Sequence, residues 1–533
     1  MEKLQKNTKA TKHKVCILAA GVGGRNSYSK DFVKGLLPYK NKALICYIIE
    51  SLPKNLEIIV AVGFKENIYR EFLPMAYPNR VFTFVSVEPY QGKGSGPGYS
   101  LLCCEKYLDN PFYLIPSDAY VDPQTPLPNR DFDWIGLGSA FDDKLSSYCL
   151  AETNKKNQVI KFIDKEENPN PNLKNNVFTG IAFIHNHNNF FEGLKTKNLI
   201  KNERQVSSGF ENLISKGLKA YPLISWKDLG TSLLYEHYAL SDKSQNLLKP
   251  REKTFIINKK IFKYFEDQEI VAEKIIRTNQ LKPLTPKIID QGKNFFSYEM
   301  VPGHLLSEET SEPLFENFLN KCQKTLFNPI KVNKEEKENF QDQCIYFYKD
   351  LTLRRVEEYL KKYPNHSKSH KINGEDCPDF ETLWSKIPWE ELRQGIPSHF
   401  HGDFQPENII CSPREIKLID WRQNFTKDTP FGDVYYDLSK LKHALIINGQ
   451  MIREERYSID ILSNKVQLSY LIKSNLFNFL KILNKFSKKN DYSIKKIDLL
   501  TGIIYLRIAS LYDTDYSNFL YFLGIHFLSK RLL

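Results

Sequence analysis

The sequence predicts an α/β protein in two parts: an N-terminal half built on a parallel sheet, and a C-terminal half in which a few strands precede a mass of helices. Three observations predict it. Short apolar runs alternate with helical segments from residue 14 to 245, the rhythm of strand–helix–strand units. After that the pattern changes to two adjoining strands, one further strand and long stretches of helical periodicity. At 533 residues the chain also exceeds a single core, since a domain takes roughly 100–200 residues.

Composition narrows the class. Hydrophobic residues make up 41% and aromatic residues 13%, which suits packed cores and argues against a disordered chain. Lys and Arg (75) exceed Asp and Glu (63) for a net charge of +12, but they are dispersed among Asn and Ile without a dense stripe, so nucleic acid is not an expected partner. The opening MEKLQKNTKATKHK is basic and polar and precedes only a short apolar strand, unlike a secretory leader. The most apolar late stretch, LLTGIIYLRIASLY, is broken by Arg507 and falls short of the ~20 residues a membrane span needs, so it reads as a buried helix. Nine cysteines without CxxC spacing point to free thiols and a reducing cytoplasm. His185 with His187, and His366 with His370, lack acidic or cysteine companions at ligand spacing and read as surface histidines.

A basic tail, 1–13, precedes the first domain, 14–245. KVCILAAG reads as a buried parallel strand feeding the turn Gly21-Val22-Gly23-Gly24-Arg25. Gly21 and Gly23 let backbone amides approach a triphosphate, and Arg25 adds a planar cation. The turn is no dinucleotide fingerprint, because Asn26 stands at the third glycine position, and no P-loop, because G-K-[ST] is absent. Lys34 and Pro38 follow in KGLLPYKNKALICYIIESL, where apolar residues at 44, 45, 48, 49 and 52 predict a helix. LEIIVAVGF and VFTFVSVEPY continue as strands. QGKGSGPG then sets Gly92, Gly94, Gly96 and Gly98 ahead of the helix SLLCCEKYL, where they could border a nucleotide base or form a mobile loop. FYLIPSDAYVD ends a strand at Asp118, and a carboxylate at the C-terminal end of a central parallel strand sits where open α/β sheets bind ligands.

With these residues in place, 14–245 resembles the sugar-phosphate nucleotidylyltransferases, whose opening signature has the form L-x-x-G-x-G-x-R and then P-K-x-L-x-P. Lys34 matches the signature lysine, while Val33 stands where that family has proline. Asp228-Leu229-Gly230-Thr231 matches the family's D-[IVL]-G-T. The resemblance implies a Rossmann-like nucleotidyltransferase sheet in which Asp118 and Asp228 hold Mg²⁺ and Gly21, Gly23, Arg25, Gly94 and Gly96 border the nucleotide. It further implies Arg25 and Lys34 as catalytic cations, and Lys165 and Gly180 in the substrate half. Asp164 replaces the glutamate of the family's Glu-Lys pair.

ALSDKSQNLLKPREK is a polar, charged connector that sets a domain boundary, giving a second domain over 246–533. TFIINKKIFKYF reads as two strands about an Asn258-Lys259 turn, and EDQEIVAEKIIRTNQL as an amphipathic helix. Lys263 in the second strand could hold ATP phosphates, with Glu269 or Glu273 as its ion-pair partner. Backbone from Glu299 to Val301, in FFSYEMVPGHLL, could receive adenine. No complete glycine loop precedes Lys263, and a turn near Lys249–Lys253 could take its place. Residues 308–395 are helical in pattern and carry no motif.

HGDFQPENIICSPREIKLIDW then places four polar groups where phosphoryl transfer needs them. Asp403 could accept a hydroxyl proton, and the amide oxygen of Asn408 and the carboxylate of Asp420 could hold Mg²⁺, with His401 opening the loop. With GDVYYDL supplying Gly432, Asp433 and Asp437, the second half resembles the aminoglycoside phosphotransferase and choline kinase superfamily, whose signature is H-G-D-x-x-x-x-N, I-D-W and G-D-x-x-x-D-L. That resemblance implies a two-lobed protein-kinase-like (α+β) domain, its N-lobe at about 250–305 and its C-lobe at about 306–533. His401, Asp433 and Asp437 would give structural support.

Together the two resemblances imply a bifunctional cytoplasmic enzyme with small-molecule substrates and no membrane span. One half would phosphorylate a sugar or polyol with ATP. The other would transfer a nucleotidyl group from CTP, UTP, GTP or dTTP onto that phosphate, both with Mg²⁺, to make a precursor for capsule or lipopolysaccharide. A homo-oligomer is left open. Two alternatives remain: a choline kinase joined to a phosphocholine cytidylyltransferase, making CDP-choline, and a nucleotidyltransferase carrying a non-catalytic kinase-like sensor. Arg422-Gln423 after I-D-W speak against choline, since bacterial choline kinases tend to continue with E-Y. The missing glycine loop speaks for the sensor.

Overall fold

KVCILA, EIIVAV and FYLIP have no polar face, as strands covered on both sides require. They form the centre of a parallel-rich sheet. The computed structural model describes residues 13–533 except 25, 30, 126–127, 129, 142–144, 165–169, 197–198, 241–250, 414, 428 and 513–514. Arg25, Lys165, most of the basic tail and the middle of the connector therefore lie outside the described residues. The chain divides into two compact units, residues 1–268 with 290–297, and residues 269–289 with 298–533.

In the first unit, β1 (Lys14–Ala19) leads through α1 (Leu44–Ser51) to β2 (Glu57–Val62), α2 (Glu66–Ala76) and β3 (Phe82–Ser86). α3 (Pro97–Cys103) precedes β4 (Phe112–Pro116), and the short β5 (Ala119–Tyr120) follows it. Then come β6 (Trp134–Gly138), β7 (Cys149–Thr153), β8 (Val159–Asp164), β9 (Val177–Ile184), α4 (His187–Thr196), α5 (Ser207–Ile214), β10 (Lys219–Pro222) and β11 (Lys227–Asp228). Among the described residues the sheet runs β8-β7-β9-β4-β1-β2-β3, with β6 on β9 and β10 on β6. β1 is parallel to both β2 and β4, and β2 to β3, whereas β9 meets β4 antiparallel. Val15, Ile17 and Ala19 enter one hydrophobic cluster and Cys16 the other, so β1 is buried on both faces. Its C-terminal end, and that of β4, open on one edge, which carries Gly21 and Asp118.

The same unit includes β12 (Glu252–Ile257) and β13 (Lys260–Phe265), an antiparallel hairpin. Asn258 and Lys259 at its turn both take positive φ (50° and 61°), the conformation a tight two-residue hairpin needs. The hairpin is held against α2. The Phe72 ring lies 5.4 Å from Phe255, 5.7 Å from Phe262 and 5.2 Å from Phe295. Beside it the Glu71 carboxylate accepts the backbone N–H groups of Asn294 and Phe295, each at 2.9 Å.

The second unit is mainly helical: α6 (Gln268–Gln280), α7 (Glu312–Thr325), α8 (Lys334–Ile345), α9 (Leu351–Lys362), α10 (Val434–Ile446), α11 (Ser474–Lys489), α12 (Ile494–Ala509) and α13 (Asp515–Leu532). β14 (Ile409–Cys411) and β15 (Ile416–Leu418) form a hairpin behind the Asp403 loop. α12 is the apolar stretch interrupted by Arg507, with Leu499, Leu500, Ile503, Tyr505 and Leu506 buried. Among the described residues no helix is long and apolar enough to cross a membrane. All nine cysteines are free.

The histidines at 366 and 370 correct the surface reading. His370 is only 7% exposed, and the half-buried His366 stacks on Tyr363 at 5.1 Å and accepts or donates a hydrogen bond with Tyr359 at 2.7 Å. An aromatic cluster with Tyr521 and Phe522 covers them, a use of histidine as a ring that spacing along the chain does not disclose.

Phe72 sits at the centre of the α2–hairpin contact and is fully buried. Phe72→Ala should destabilise the protein by about 3–5 kcal/mol, read from urea unfolding monitored by far-UV circular dichroism. A loss below about 1 kcal/mol would show that the hairpin does not depend on this contact.

Candidate functional site

The first unit gathers three charged side chains around one glycine. β5 and β11 pair antiparallel with Asp228 opposite Ala119, so the ribbon brings Asp228 beside Asp118. Lys34 forms an ion pair with Asp118 Oδ2. A Cβ placed on Gly230 would lie 2.7 Å from Asp118 Oδ2, 2.7 Å from Asp228 Oδ1 and 2.8 Å from Lys34 Nζ. Only glycine leaves room there. Gly230 N–H donates to Asp228 Oδ1 at 2.8 Å, which fixes that carboxylate.

The turn after β1 is braced from the same side. The buried Asn26 donates from Nδ2 to Leu229 O (3.2 Å), and Ser27 N–H donates to Ser232 Oγ (2.8 Å). Positions 21 and 24 face open space, and Gly23 has φ 73°. Gly180, with φ 80°, lets β9 pass Pro116, whose Cγ is 2.9 Å from where a Cβ would stand. It shapes the strand end that carries Asp118. Asp164 accepts a hydrogen bond from Ser207 Oγ at the start of α5.

The Gly92–Gly98 turn is tied to another strand of chain. Gly94 N–H donates to Asn202 O (2.8 Å), Gly98 N–H to Arg204 O (2.8 Å), and Arg204 N–H to Ser95 O (2.8 Å). A side chain at Gly96 would meet Arg204 O at 2.8 Å. Gly96 and Gly98 serve a close backbone approach, positions 92 and 94 face open space, and the amides of Gly94 and Gly98 are engaged by the neighbouring stretch.

In the second unit the loop from His401 to Asn408 is held from beneath by Asp437 on α10. Its carboxylate accepts His401 N–H (2.6 Å) and Gly402 N–H (2.8 Å). Burial pushes the Asp437 pKa up to about 7 against those two donors. His401 Nε2 bonds Ile419 O at 2.9 Å, and burial lowers its pKa to about 4 despite nearby Asp403. Asp433 accepts Tyr348 OH at 2.7 Å and Ile396 N–H at 2.9 Å.

Above this base, Asn408 Nδ2 donates to the Asp403 carboxylate (2.8 Å) and carbonyl (2.9 Å), leaving the Asn408 amide oxygen as the available acceptor. Ile419 N–H donates to Asn408 O (2.9 Å), which draws the Asp420 end of β15 to the loop, and Asp420 takes φ 59°. Lys440 Nζ lies 3.2 Å from Asp403 Oδ1. Burial opposes ionisation of Asp403, but the ammonium of Lys440, then His401 and the hydrogen bonds, hold its carboxyl below the usual range.

Lys440 escaped the sequence reading. The signal was local, since Asp437 and Lys440 are three apart on one helix and share a face, so a residue that anchors the loop has a cation beside it. The other residues assigned from sequence are spread over both units. Lys263, in the first, donates to Thr254 Oγ1 at 3.0 Å. Glu273, in the second, accepts from Asn424 Nδ2 at 3.1 Å, and its neighbour Lys274 donates to Trp421 O. Glu299 is exposed at the end of its strand, and Glu269 is exposed on α6.

Neither acidic site is a closed metal cage. Among the described residues no group of three His, Cys, Asp or Glu side chains is placed to hold an ion. Two carboxylates at 118 and 228, or one with the amide oxygen of Asn408, nonetheless match what Mg²⁺ takes from protein, since it keeps waters and substrate phosphate oxygens.

No family model and no curated protein matches the chain. Among solved structures it is similar to a "Putative Glucose-1-Phosphate Thymidylyltransferase from Bacillus anthracis", determined with a sucrose, at 20% identity over 45% of this chain and 98% of that one, with a TM-score of 0.36. It is also similar to a UDP-glucose pyrophosphorylase complexed with UDP-glucose, at 20% identity over 43% and 97%, with a TM-score of 0.35.

Lys440 O also accepts from the ring of buried His443 (2.5 Å), whose pKa burial and the Lys440 charge lower to about 3. The unfolded chain takes up that proton below about pH 6.5, while the folded chain does so only near its lowered pKa. This contribution to stability is therefore present above pH 6.5 and lost as pH falls. Between pH 7.5 and 5 the stability advantage of the native protein over His443→Asn should shrink by about 2 kcal/mol in urea titrations, and a constant difference would contradict the neutral ring.

Proposed function

We propose that the first unit transfers a nucleotidyl group from a nucleoside triphosphate onto a phosphorylated sugar or polyol. The observation that carries this reading is the convergence of Asp118, Asp228 and Lys34 on Gly230, at the edge where β1 and β4 end. A phosphomonoester oxygen attacks the α-phosphorus and pyrophosphate leaves. Both reactants are anions, so their approach requires positive charge. Mg²⁺ held by Asp118 and Asp228 would supply Lewis acidity and charge neutralisation. Lys34 offsets the charge of the carboxylates and is placed to meet a phosphate oxygen when it releases Asp118. Arg25 and the amides of Gly21 and Gly23 would receive the triphosphate, and Gly94 and Gly96 would border the base. Lys165 and Gly180 belong to the sugar-phosphate side.

The second unit, in the same reading, makes the phosphate that the first consumes. Asp403 orients the acceptor hydroxyl and takes its proton as the oxygen attacks the γ-phosphorus of ATP and ADP leaves. Lys440 keeps Asp403 ionised, and Asn408 both fixes the carboxylate and presents its oxygen, with Asp420, for Mg²⁺. Glu273 would serve the ATP phosphates and Glu299 the adenine side. His401, Asp433 and Asp437 fix the loop. Along the sequence the proposed activities divide near residues 245–246, ahead of the hairpin at 252–265, which packs within the first unit. The whole is a cytoplasmic, bifunctional route to a nucleotide-activated building block for surface polysaccharide.

The two half-reactions can be assayed separately. Asp118→Asn and Gly230→Ala should each cut pyrophosphate release with an added phosphate ester by about a hundredfold or more while leaving ATP-dependent phosphorylation intact. Unchanged release in Asp118→Asn would remove it as a metal ligand. Asp403→Asn should abolish ADP formation on a panel of sugars, polyols and amino alcohols and spare the nucleotidyl step; persistent ATP turnover would show that another group takes the proton.

A further inference from the structure

The chain after Asp420 folds back over the Asp403 loop. Arg422 N–H donates to His401 O at 2.9 Å, and Arg422 Cβ and Cδ lie 2.7 and 2.8 Å from where a side chain on Gly402 would begin. Gly402, with φ 86°, is what allows the arginine to lie against the loop. Its guanidinium ends over the ring of Phe347, 5.1 Å from the centroid. Arg507, from the middle of α12, reaches the same ring at 3.9 Å and donates to Phe347 O at 3.1 Å. Tyr436 packs edge-on against Phe347 at 5.0 Å, one helical turn before Lys440, the partner of Asp403.

Two guanidinium groups therefore share one aromatic ring beside the phosphoryl-transfer loop. Among the described residues neither has a carboxylate within ion-pair distance, and the Arg422 guanidinium makes no hydrogen bond. Burial lowers the Arg507 pKa; the phenol of Tyr436 opposes this, and the like charges of Arg422 and Arg355 add to it. Beyond the one Arg507 bond to Phe347 O, the remaining N–H donors of the two guanidiniums have no protein acceptor among the described residues and can meet a planar or tetrahedral anion. A neutral ligand could accept from those donors but would leave both charges unmatched, and a quaternary ammonium would meet two like charges.

We infer that Arg422 and Arg507 form an anion site next to Asp403, and that the hydroxyl compound phosphorylated there carries a carboxylate or a phosphate. The second clause rests on the kinase reading of this unit.

The full chain can be titrated by calorimetry with inorganic phosphate, with acetate and with neutral glucose, at constant ionic strength, as wild type and as Arg422→Gln, Arg422→Lys and Arg507→Gln. One of the two anions should bind, glucose should not, and each glutamine variant should weaken the binding about tenfold or more; the phosphate and acetate arms decide which anion the site prefers. Arg422→Lys, which keeps the charge but loses the fork, should fall between. If circular dichroism shows that Arg507→Gln fails to fold, the two Arg422 variants decide. Absence of anion binding, or binding unchanged by Arg422→Gln, would overturn the site. In the same preparations ADP release is compared for glucose, glucuronate and glucose 6-phosphate. Preference for an acidic member supports the inference, and preference for glucose overturns it. If no member is turned over while the anion binding responds to Arg422→Gln, the kinase reading fails and the anion site stands.

Discussion

A charge withdrawn from water has to be met by a partner, and both candidate sites are arranged around that requirement. Asp118 is met by Lys34 and Asp403 by Lys440, in each case by a lysine from a different stretch of chain. Asp437 has no such cation in hydrogen-bond contact and relies on two backbone N–H groups, which is why burial moves its pKa so far. The distinction has chemical meaning. A carboxylate with a mobile ammonium beside it can exchange that partner for a metal or a phosphate, whereas one locked to backbone amides can only hold a loop in place.

The strands were legible because burial on both faces leaves a simple mark, an unbroken apolar run such as EIIVAV. The hairpin at 252–265 was equally legible, from two runs about Asn-Lys. Where it packs was not. An apolar face on a strand announces that it needs cover without naming the cover, and nothing in the spacing linked Phe255 and Phe262 to Phe72, far upstream on α2. His366 and His370 failed for a similar reason, since an imidazole stacked among tyrosines has the same spacing as one in water.

Within the sites, motif residues on one short stretch were readable and their partners from elsewhere were less so. Asp118, Asp228 and Gly230 stand in segments whose order suggested a shared site, and the β5–β11 ribbon brings them together. In the sequence Asn26 only interrupts a glycine pattern, yet its side chain pins the carbonyl of Leu229. The Gly92–Gly98 turn shows the opposite difficulty. Glycines that invite a ligand and glycines that admit another strand of chain look alike in sequence, and here Asn202 and Arg204 occupy part of the approach.

Cations around the second site fall into two sets, and the difference lies in what their N–H groups do. Lys274 and Arg277 spend donors on the carbonyls of Trp421, Phe400 and Pro430, although Arg277 also lies 4.6 Å over the Phe400 ring with its Nε unmatched, and Lys440 spends its own on Asp403. Arg422 and Arg507 instead place their guanidiniums over Phe347, and of the two only Arg507 spends a donor, on Phe347 O. Lysine would be a poor substitute at either place, since its compact, strongly hydrated charge favours water over a ring and offers no flat fork. Supporting a loop accounts for most donors of the first set, whereas the second set keeps donors in reserve near the loop that carries Asp403. Arg422, whose guanidinium makes no hydrogen bond among the described residues, and Arg507, which makes one, keep a charge without a counter-ion, and in the proposed reading acceptor choice therefore lies with the arginines more than with the motif itself.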